Sequence, residues 1–267
     1  MTKQCSHVTE PEILVNYFAT GETDFKFCKK CGLVMRQPMP TLSELDLIYD
    51  KLYATSQIVD QQTEQESGNY ALQQYAGYLV SSLISPDERV LDYGCGTGLL
   101  VEKLQMEGIR AIGVERSEGA RNFSLSERDI TLLKNVDEIE DQSLDIVLMI
   151  EVIEHLPDPM EAISALKRKL RQGGKLFLTT PNRRGLRAKL EKGHWREAAK
   201  KFHVVLFDAS SMRQMLANAG YTQIHQIHFS PIQRKGWFRK LIARLQQAFG
   251  LSGSLCFIGH NPKTPNK

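Results

Sequence analysis

Hydrophobic residues follow a helical spacing in two stretches before residue 85. After a predicted N-cap at Thr41, with Glu44 three residues on, apolar residues recur every three or four positions up to about Tyr53. The same spacing returns from Tyr70 to Ile84, so we predict two amphipathic helices. The stretch 54–68 between them is polar and is typical of a linker or lid. The predicted parts of the chain are a small module at 1–40, a helix and linker or lid at 41–68, and the main domain at 69–267.

From Arg89 onward, predicted strands alternate with predicted helices. The run Asp145–Ile150 is apolar after its first residue, which indicates a strand buried on both faces. The predicted strands are Arg89–Tyr93, Ala111–Glu115, Ile130–Leu133, Asp145–Ile150, Lys175–Thr180, Gln223–Phe229 and Leu255–Ile258. The predicted helices are Leu99–Glu107, one that begins near Glu118, Met160–Leu170 and one near Ser210–Ala219. This alternation predicts an α/β fold in which helices cover both faces of a parallel sheet.

Composition narrows the class of protein. The 267 residues are 42% hydrophobic and 24% charged, with a net charge of +3, which is the balance of a globular chain. No window approaches the ~18 consecutive apolar residues of a spanning helix. The N-terminus lacks the apolar run of a secretory signal, so we expect a cytoplasmic protein. Five cysteines, an odd number, do not indicate a disulfide framework.

A glycine turn is the most informative segment. Gly94-Cys95-Gly96-Thr97-Gly98 follows a predicted strand and opens a predicted helix, where a nucleotide-like ligand can approach the backbone closely. The spacing differs from G-x-G-x-x-G, which disfavours a dinucleotide site. Asp92 lies two residues before the turn. Glu115 ends the next strand, where a carboxylate would accept hydrogen bonds from both hydroxyls of a ribose.

These residues resemble those of the class I S-adenosylmethionine-dependent methyltransferases, and the resemblance extends from about Tyr70 to the C-terminus. It implies a doubly wound, seven-stranded, mostly parallel sheet. It also implies that S-adenosylmethionine is the cofactor. By this resemblance Asp92, Gly94 and Gly96 line the methionine end of the cofactor, Glu115 binds the ribose, and Asn135 and Val136 lie near the adenine. The family usually has an aspartate near the position of Asn135.

A second cluster of polar residues follows the fourth predicted strand. Glu151, Glu154 and His155 lie within five residues, and on a helical turn they would share one face. Their E-x-x-E-H pattern resembles that of ubiquinone-biosynthesis O-methyltransferases and small-RNA 2′-O-methyltransferases, in which it holds a divalent metal that binds the accepting hydroxyl. The RNA enzymes add a later histidine after a T-P-N turn, and this chain has Thr180-Pro181-Asn182 followed by His203.

Three interpretations of this cluster stay open. Glu151, Glu154, His155 and His203 could bind Mg²⁺ or another divalent metal. Without a metal, His155 or His203 could serve as the general base. Alternatively, the histidines are structural and the glutamates face solvent. In both functional interpretations His155 is the first catalytic candidate, with Glu151 and His203 beside it.

The N-terminal cysteines predict a structural zinc site. Cys28 and Cys31 form a C-x-x-C-G knuckle, and Cys5 and His7 lie about twenty residues upstream, a set of ligands that suits tetrahedral zinc. The segment resembles the zinc-ribbon leaders found before bacterial methyltransferase domains, although the first pair there is usually C-x-x-C and here it is C-x-H. A metal-free remnant and a redox pair are the alternatives. We expect Cys95 and Cys256 to be core residues.

Positive charge is concentrated in two windows. Residues 183–201 contain eight Lys or Arg against two Glu. Residues 231–250 predict a basic amphipathic insertion before the last strand, with Trp237 and Phe238 on its apolar face. Such a helix suits an anionic membrane surface, and so predicts peripheral contact at the inner membrane face, or it packs its apolar side on the domain. In the family's fold, both windows would lie around the substrate mouth.

Together these features predict an S-adenosylmethionine-dependent methyltransferase that O-methylates a hydroxyl of a small or lipid-linked molecule, such as a sugar, polyketide or quinone precursor. The basic windows leave an RNA methyltransferase, acting on a 2′-oxygen or a base, as an alternative. Nucleic acid is the less favoured partner because few aromatic residues accompany the basic ones. A catalytically idle cofactor-binding subunit is the third possibility.

Overall fold

The computed structural model describes residues 14–20, 23–56, 74–227 and 250–263. The strands are β1 (Leu14–Thr20), β2 (Thr23–Cys28), β3 (Val34–Gln37), β4 (Arg89–Tyr93), β5 (Arg110–Val114), β6 (Leu144–Ile150), β7 (Leu170–Pro181), β8 (Val205–Leu206), β9 (Thr222–Gln226) and β10 (Ser254–His260). The helices are α1 (Leu42–Ser56), α2 (74–82), α3 (Leu99–Met106), α4 (Glu118–Arg128), α5 (Pro159–Lys169), α6 (Leu186–Glu191), α7 (Arg196–Ala199) and α8 (Ala209–Asn218).

The main sheet has the strand order β5-β4-β6-β7-β10-β9. Strands β5, β4, β6 and β7 are parallel to one another, and β10 is antiparallel to both of its neighbours. The predicted α/β fold with a mostly parallel sheet is therefore confirmed. Because parallel strands end at the same edge, the segments that follow β4, β5 and β6 are neighbours there.

The predicted seven-stranded sheet has six strands in the described part of the chain. The predicted strand Ile130–Leu133 is reduced to a single bridge, in which Leu133 pairs with Val114 at the outer edge of β5. Leu133 N donates to Gly113 O at 2.9 Å, and Glu115 N donates to Leu133 O at 2.9 Å. The chain then turns at Asn135, the N-cap of a short 3-10 turn, before a longer strand can form.

Strand β6 lies in the middle of the hydrophobic core. Val147 and Met149 pack on one face of the sheet with residues of α5 and α8, whereas Ile146 and Leu148 pack on the other with α2 and α3. Burial from both sides explains why this strand is apolar at successive positions rather than at alternate ones. After Asp145 near its start, the strand is apolar as far as Ile150, and the next polar residue is Glu151, where the strand ends.

The N-terminal strands form a second, antiparallel sheet in the order β1-β2-β3-β8. Its fourth strand comes from the main domain, since Val34 pairs with Leu206 and Met35 with Val205. Phe25 and Val34 are fully buried in one hydrophobic cluster with Trp195, Ala198 and Leu206, among others. The described part of the predicted module at 1–40 thus shares a sheet and a core with residues 195–206.

Several predicted boundaries shift by a few residues. Thr41 and Glu44 form the predicted cap of α1, with Thr41 N donating to Glu44 Oε2 at 2.7 Å, but the helix continues to Ser56, into the predicted linker. Helix α5 ends at Lys169, and β7 begins at Leu170, before the predicted start of this strand at Lys175.

Five predicted features lie wholly or partly outside the described residues: Cys5 and His7, the linker beyond residue 56, the start of the helix Tyr70–Ile84, the end of the strand Gln223–Phe229, and nearly all of the insertion 231–250. Within the described ranges, no helix combines the length and the apolar character needed to cross a membrane.

Candidate active site

The glycine turn joins the carboxyl end of β4 to α3 and is fastened to β5. Gly94 N and Cys95 N donate to Val114 O at 2.8 and 3.2 Å. Gly94 has a φ of +75°, and a Cβ at this position would lie 2.7 Å from Cγ2 of Val152. A side chain cannot be accommodated there without displacing the segment that follows β6, which explains the glycine.

Glu115 lies beside this turn, at the end of β5, as predicted. Its Oε2 accepts a hydrogen bond from Gly96 N at 2.9 Å, and its Oε1 accepts one from Ser117 N at 2.8 Å. The side chain is therefore held by backbone groups from two loops. Burial raises the pKa of the Glu115 carboxyl, although the hydrogen bonds to Ser117 and Gly96 oppose the increase.

Asp92 adds a second carboxyl group at the same edge. It is buried, and desolvation together with the charge of Glu115 raises its pKa to about 7. Two carboxylates next to one glycine turn concentrate negative charge where the backbone is most accessible. Such a place suits a ligand that carries positive charge.

Asn135 and Val136 are brought to this edge by the bridge between Leu133 and Val114. Asn135 Oδ1 accepts from Asp137 N at 3.2 Å, and Asn135 N donates to Glu138 Oε1 at 2.8 Å. The side-chain oxygen of Asn135 thus caps its own 3-10 turn. The predicted contact of these residues with an adenine stays a prediction, as do the cofactor contacts of Asp92, Gly94, Gly96 and Glu115.

The second cluster follows β6. Glu151 has a φ of +53° and ends the strand, with its N donating to Thr179 O at 3.1 Å. A 3-10 turn then spans Ile153–His155. The condition for Glu151, Glu154 and His155 to share one helical face is not met, because Glu151 lies before the turn in a left-handed conformation.

Glu154, His155 and His203 come together as a group that could hold a metal ion. Each contributes one ligand atom, and these atoms lie within 4.8 Å of one another. Glu154 is 1% exposed and His203 is 2% exposed. Within the described ranges, Glu154 Oε1 and His203 Nδ1 are buried atoms with no hydrogen-bond partner. Buried polar atoms without partners are costly, so the donor set fits a bound cation.

The electrostatics of the group keep the imidazoles neutral. Burial lowers the pKa of His155 to about 3, and burial together with the neighbouring His155 lowers the pKa of His203 to about 2. Burial raises the pKa of Glu154 well above its ordinary value and that of Glu151 to about 7. Neutral imidazole is the form that binds a metal or accepts a proton.

Sequence reasoning missed several residues that hold this group in place. Thr180 Oγ1 donates to Glu154 Oε2 at 2.9 Å. Tyr49 Oη lies 2.6 Å from His155 Nδ1, and Phe202 packs edge-on against the His155 ring. Arg36 donates to the carbonyl oxygen of His203. Of these residues, only Thr180 was part of a recognised motif, the T-P-N turn. Tyr49 was counted among the apolar residues of the first predicted helix, and nothing in the sequence around Arg36 indicated a role in the site.

The glycine turn and the histidine group lie side by side. Val152, which a Cβ on Gly94 would contact, is the residue between Glu151 and the 3-10 turn. Strands β4 and β6 are paired directly, with Asp92 opposite Leu148. The edge of the sheet therefore combines a backbone-lined turn with buried titratable side chains.

The Cys28–Cys31 knuckle forms a tight turn between β2 and β3. Gly32 N donates to Cys28 O at 2.9 Å, and Cys28 N donates to Leu33 O at 2.8 Å. Both cysteines lie in this one turn, and their predicted partners are not described, so the zinc site stays a prediction. Cys95 and Cys256 belong to the core of the main domain, as expected.

The basic window 183–201 is not uniformly exposed. Arg183 is 8% exposed, pairs with Asp208 and donates to Tyr17 Oη at 3.2 Å and to Gly32 O at 3.2 Å. Its charge therefore fastens the N-terminal sheet rather than facing a substrate mouth, which corrects the expectation for this residue. The side chains of Arg184 and Arg187 are exposed.

Comparison with known proteins agrees with the fold. The family described as "Methyltransferase domain" matches residues 67–226. A ubiquinone biosynthesis O-methyltransferase from Hahella chejuensis is 36% identical over 107 residues, which are 37% of this chain and 45% of that protein. One from Xanthomonas campestris is 28% identical over 184 residues, 65% of this chain and 70% of that protein. The chain thus spans about half the length of the first curated relatives it matches.

Solved structures share the fold at low sequence identity. A structure described as an S-adenosylmethionine-dependent methyltransferase and possible histamine N-methyltransferase from Thermotoga maritima has a TM-score of 0.57 and 18% identity, covering 81% of this chain and 99% of that one. An S-adenosylmethionine-dependent methyltransferase from Archaeoglobus fulgidus has a TM-score of 0.53 and 21% identity, covering 73% and 93%. The chain belongs to the methyltransferase-domain family, among the class I S-adenosylmethionine-dependent methyltransferases.

Proposed function

We propose that the protein transfers a methyl group from S-adenosylmethionine to a hydroxyl oxygen of a small or lipid-linked molecule. The observation that carries the proposal is the position of the Glu154–His155–His203 group directly beside the glycine turn. A cofactor held by the turn would present its methyl group toward this group of side chains. A catalytically idle subunit would have no need for two buried polar side chains at this edge, Glu154 and His203, that each keep one atom without a hydrogen-bond partner within the described residues.

The cofactor half of the site offers backbone groups and carboxylates. The turn at Gly94 and Gly96 admits the methionine part close to the backbone, and Asp92 supplies negative charge toward it. Glu115 is held by two backbone amides and accepts hydrogen bonds from the ribose hydroxyls. Asn135 and Val136 flank the adenine. The sulfonium of S-adenosylmethionine supplies an activated methyl group, so the protein's task is positioning and removal of the hydroxyl proton.

The acceptor half of the site is better suited to a divalent metal than to a bare base. A general base works best when its pKa is near the working pH, and burial holds the pKa of His155 far below neutral. Glu154, His155 and His203 would hold Mg²⁺ or another divalent cation through one carboxylate and two neutral imidazoles. A bound cation lowers the pKa of a hydroxyl and fixes its position. Glu151 lies next to this group and is the further catalytic candidate.

The name of the curated relatives suggests which acceptor to test first. They are called ubiquinone biosynthesis O-methyltransferases, so a hydroxylated quinone precursor comes before sugars and polyketides. A peripheral contact of the basic insertion 231–250 with an anionic membrane would suit a lipid-linked acceptor.

An assay with methyl-labelled S-adenosylmethionine tests the function. Purified protein is incubated with quinone precursors, polyketides, sugars and RNA, with Mg²⁺ or with a chelator. We expect label in an O-methylated quinone precursor, loss of turnover with the chelator, and recovery when Mg²⁺ is added back. Label in RNA alone would favour the alternative substrate class. No binding of S-adenosylmethionine or its demethylated product at millimolar concentration would falsify the proposal.

A structural zinc ion at the N-terminal knuckle is the second part of the proposal. Cys28 and Cys31 lie on one tight turn, and Cys5 and His7 would complete four ligands. Metal analysis of the purified protein is expected to give about one zinc per chain, which Cys28→Ser combined with Cys31→Ser abolishes. Lys29→Ala in the same turn is the control, because it keeps both thiols. Zinc retained in the double variant would contradict the site.

A further inference from the structure

Arg36 on β3 reaches the segment that carries His203. The side chain is 5% exposed. Its Nε donates to His203 O at 3.2 Å, and its Nη2 donates to Ala198 O at 3.0 Å and to Lys200 O at 2.8 Å. Arg36 and His203 are 167 residues apart in the chain, so three carbonyl groups of one distant loop are gathered by a single guanidinium.

The backbone of Val204, the residue after His203, reinforces this arrangement. Arg36 N donates to Val204 O at 2.8 Å, and Val204 N donates to Glu154 O at 2.8 Å. Val204 therefore ties the loop to β3 through its carbonyl oxygen and to the 3-10 turn of Glu154 through its amide. The planar fork of an arginine can serve several acceptors at once, which the compact ammonium of a lysine does less well.

Tyr49 on α1 makes the corresponding contact with His155. Its Oη lies 2.6 Å from His155 Nδ1, and the two rings are stacked with centroids 5.8 Å apart. When Nδ1 carries the proton and donates it to the tyrosine oxygen, Nε2 keeps its lone pair. Nε2 is the atom that lies 3.7 Å from Glu154 Oε1. A partner on one imidazole nitrogen thus sets the state of the other.

We propose that the N-terminal segment 14–56 is a working part of the active site, in which Arg36 positions His203 and Tyr49 orients His155. The inference rests on the proposed function, because it concerns the same two histidines. The proposed role of segment 14–56 differs from a purely structural one in what its loss would change. A segment with a purely structural role would affect only the stability of the protein. Positioning residues would also set the tautomer of a histidine and the geometry of its ligand atoms.

The first experiment replaces Tyr49 by phenylalanine, which keeps the ring and removes the hydroxyl. Long-range ¹H–¹⁵N NMR on histidine-labelled protein reports the tautomer of His155, and calorimetry with Mn²⁺ alone reports the affinity of the metal group. We expect a changed tautomer population and an affinity lower by about tenfold, the lower end of the effect of losing such a partner. Tyr17→Phe is the matched control, because its hydroxyl contacts Arg183 outside the group.

The second experiment replaces Arg36 by lysine and by methionine. Hydrogen exchange measured by mass spectrometry is expected to be at least about tenfold faster over residues 198–204, with a weaker affinity for Mn²⁺. Lys26→Met, on the neighbouring strand, is the control for loss of a charge from this sheet. If Arg36→Met does not fold, the same measurements on Arg36→Lys and Tyr49→Phe still test the inference.

Unchanged tautomer, exchange and Mn²⁺ affinity in Tyr49→Phe and Arg36→Lys would overturn the inference. Its failure is distinct from that of the proposed function. A wild-type protein that methylates no acceptor refutes the function, but the tautomer and the exchange rates need neither acceptor nor metal. A loss of thermal stability in the variants, with all three readouts unchanged, would assign segment 14–56 a structural role only.

Discussion

The two halves of the active site are built in different ways. The proposed cofactor half comes mainly from one stretch of chain, from Asp92 to Ser117, and from Asn135 and Val136, which a strand bridge brings beside it. Its main contacts are backbone amides and carbonyls. The acceptor half is made by side chains from four segments, which contribute Arg36, Tyr49, the Glu154–His155 pair and His203. A backbone-lined site depends on local conformation, whereas a site made of distant side chains depends on the whole fold.

This difference explains where substitutions should act. In the cofactor half, a glycine or a buried carboxylate matters because the turn itself would change. In the acceptor half, the N-terminal sheet and α1 matter as much as the residues after β6, because they hold the two histidines. Loss of an acceptor-half residue should therefore leave cofactor binding intact.

Removal of the His155 imidazole is the prediction with the largest expected effect. His155→Ala should lower kcat by about 10²- to 10⁴-fold, the usual contribution of a group that assists proton removal. The dissociation constant for S-adenosylmethionine should stay within about twofold, since the glycine turn is unaffected. Steady-state kinetics and calorimetry measure the two quantities. The control is His225→Ala, which replaces an exposed histidine on β9. A loss of cofactor affinity in His155→Ala that parallels the loss of kcat would contradict the separation of the two halves.

The second prediction concerns the contact that fastens the N-terminal sheet to the main domain. Arg183 and Asp208 have side chains only 7% and 5% exposed. Removing Arg183 leaves the buried Asp208 with only Arg184 Nε, at 3.5 Å, as a cationic partner, at a cost of up to about 3–5 kcal/mol. Arg183→Met should therefore lower the free energy of unfolding by about that amount, measured in urea. Arg187→Met, whose side chain is 83% exposed, should cost less than about 1 kcal/mol. Equal losses in the two variants would argue against a fastening role for Arg183.

The same contrast explains what could be predicted from the sequence. The glycine turn and Glu115 were predictable because local spacing along two strands determines them. The parallel sheet followed from the uninterrupted apolar run Ile146–Ile150 in β6. The buried Arg183 was misjudged because a count of basic residues says nothing of a partner such as Asp208. The contact of Arg36 with the His203 loop could not be predicted, since nothing in the local sequence indicates a contact between residues 167 positions apart.

A third prediction tests the carboxylate that organises the cofactor half. Glu115→Gln keeps the shape of the side chain but removes its charge. Hydrogen bonds to charged groups contribute about 1.5–3 kcal/mol, so the affinity for S-adenosylmethionine and its demethylated product should fall by about tenfold or more. Mn²⁺ affinity should be unchanged if the halves are independent. Glu118→Gln, an exposed residue in the first turn of α4, is the control, and unaltered cofactor affinity in Glu115→Gln would contradict the ribose contact.

The smallest expected effect is a pH dependence of cofactor affinity that arises from Asp92. Burial and the Glu115 charge raise the pKa of Asp92 to about 7, so this carboxyl is largely protonated at pH 6 and ionised at pH 8. A cationic cofactor binds the ionised form better, and binding should release a proton. The affinity should therefore be about tenfold weaker at pH 6 than at pH 8, with no further gain at higher pH from this group.

Calorimetry across this range with wild type and Asp92→Asn decides whether Asp92 is the titrating group. Asparagine has no proton to lose, so the affinity of the variant should be weak and nearly constant between pH 6 and pH 8. The direction of the Asp92 pKa shift can be checked independently in the protein without cofactor. Because the folded state binds the Asp92 proton more tightly than the unfolded chain, the free energy of unfolding should fall as pH rises from 3.8 toward 7, and less so in the variant. The same pH dependence of affinity in both proteins would assign the titration to another group and leave Asp92 without its expected contact to the methionine end.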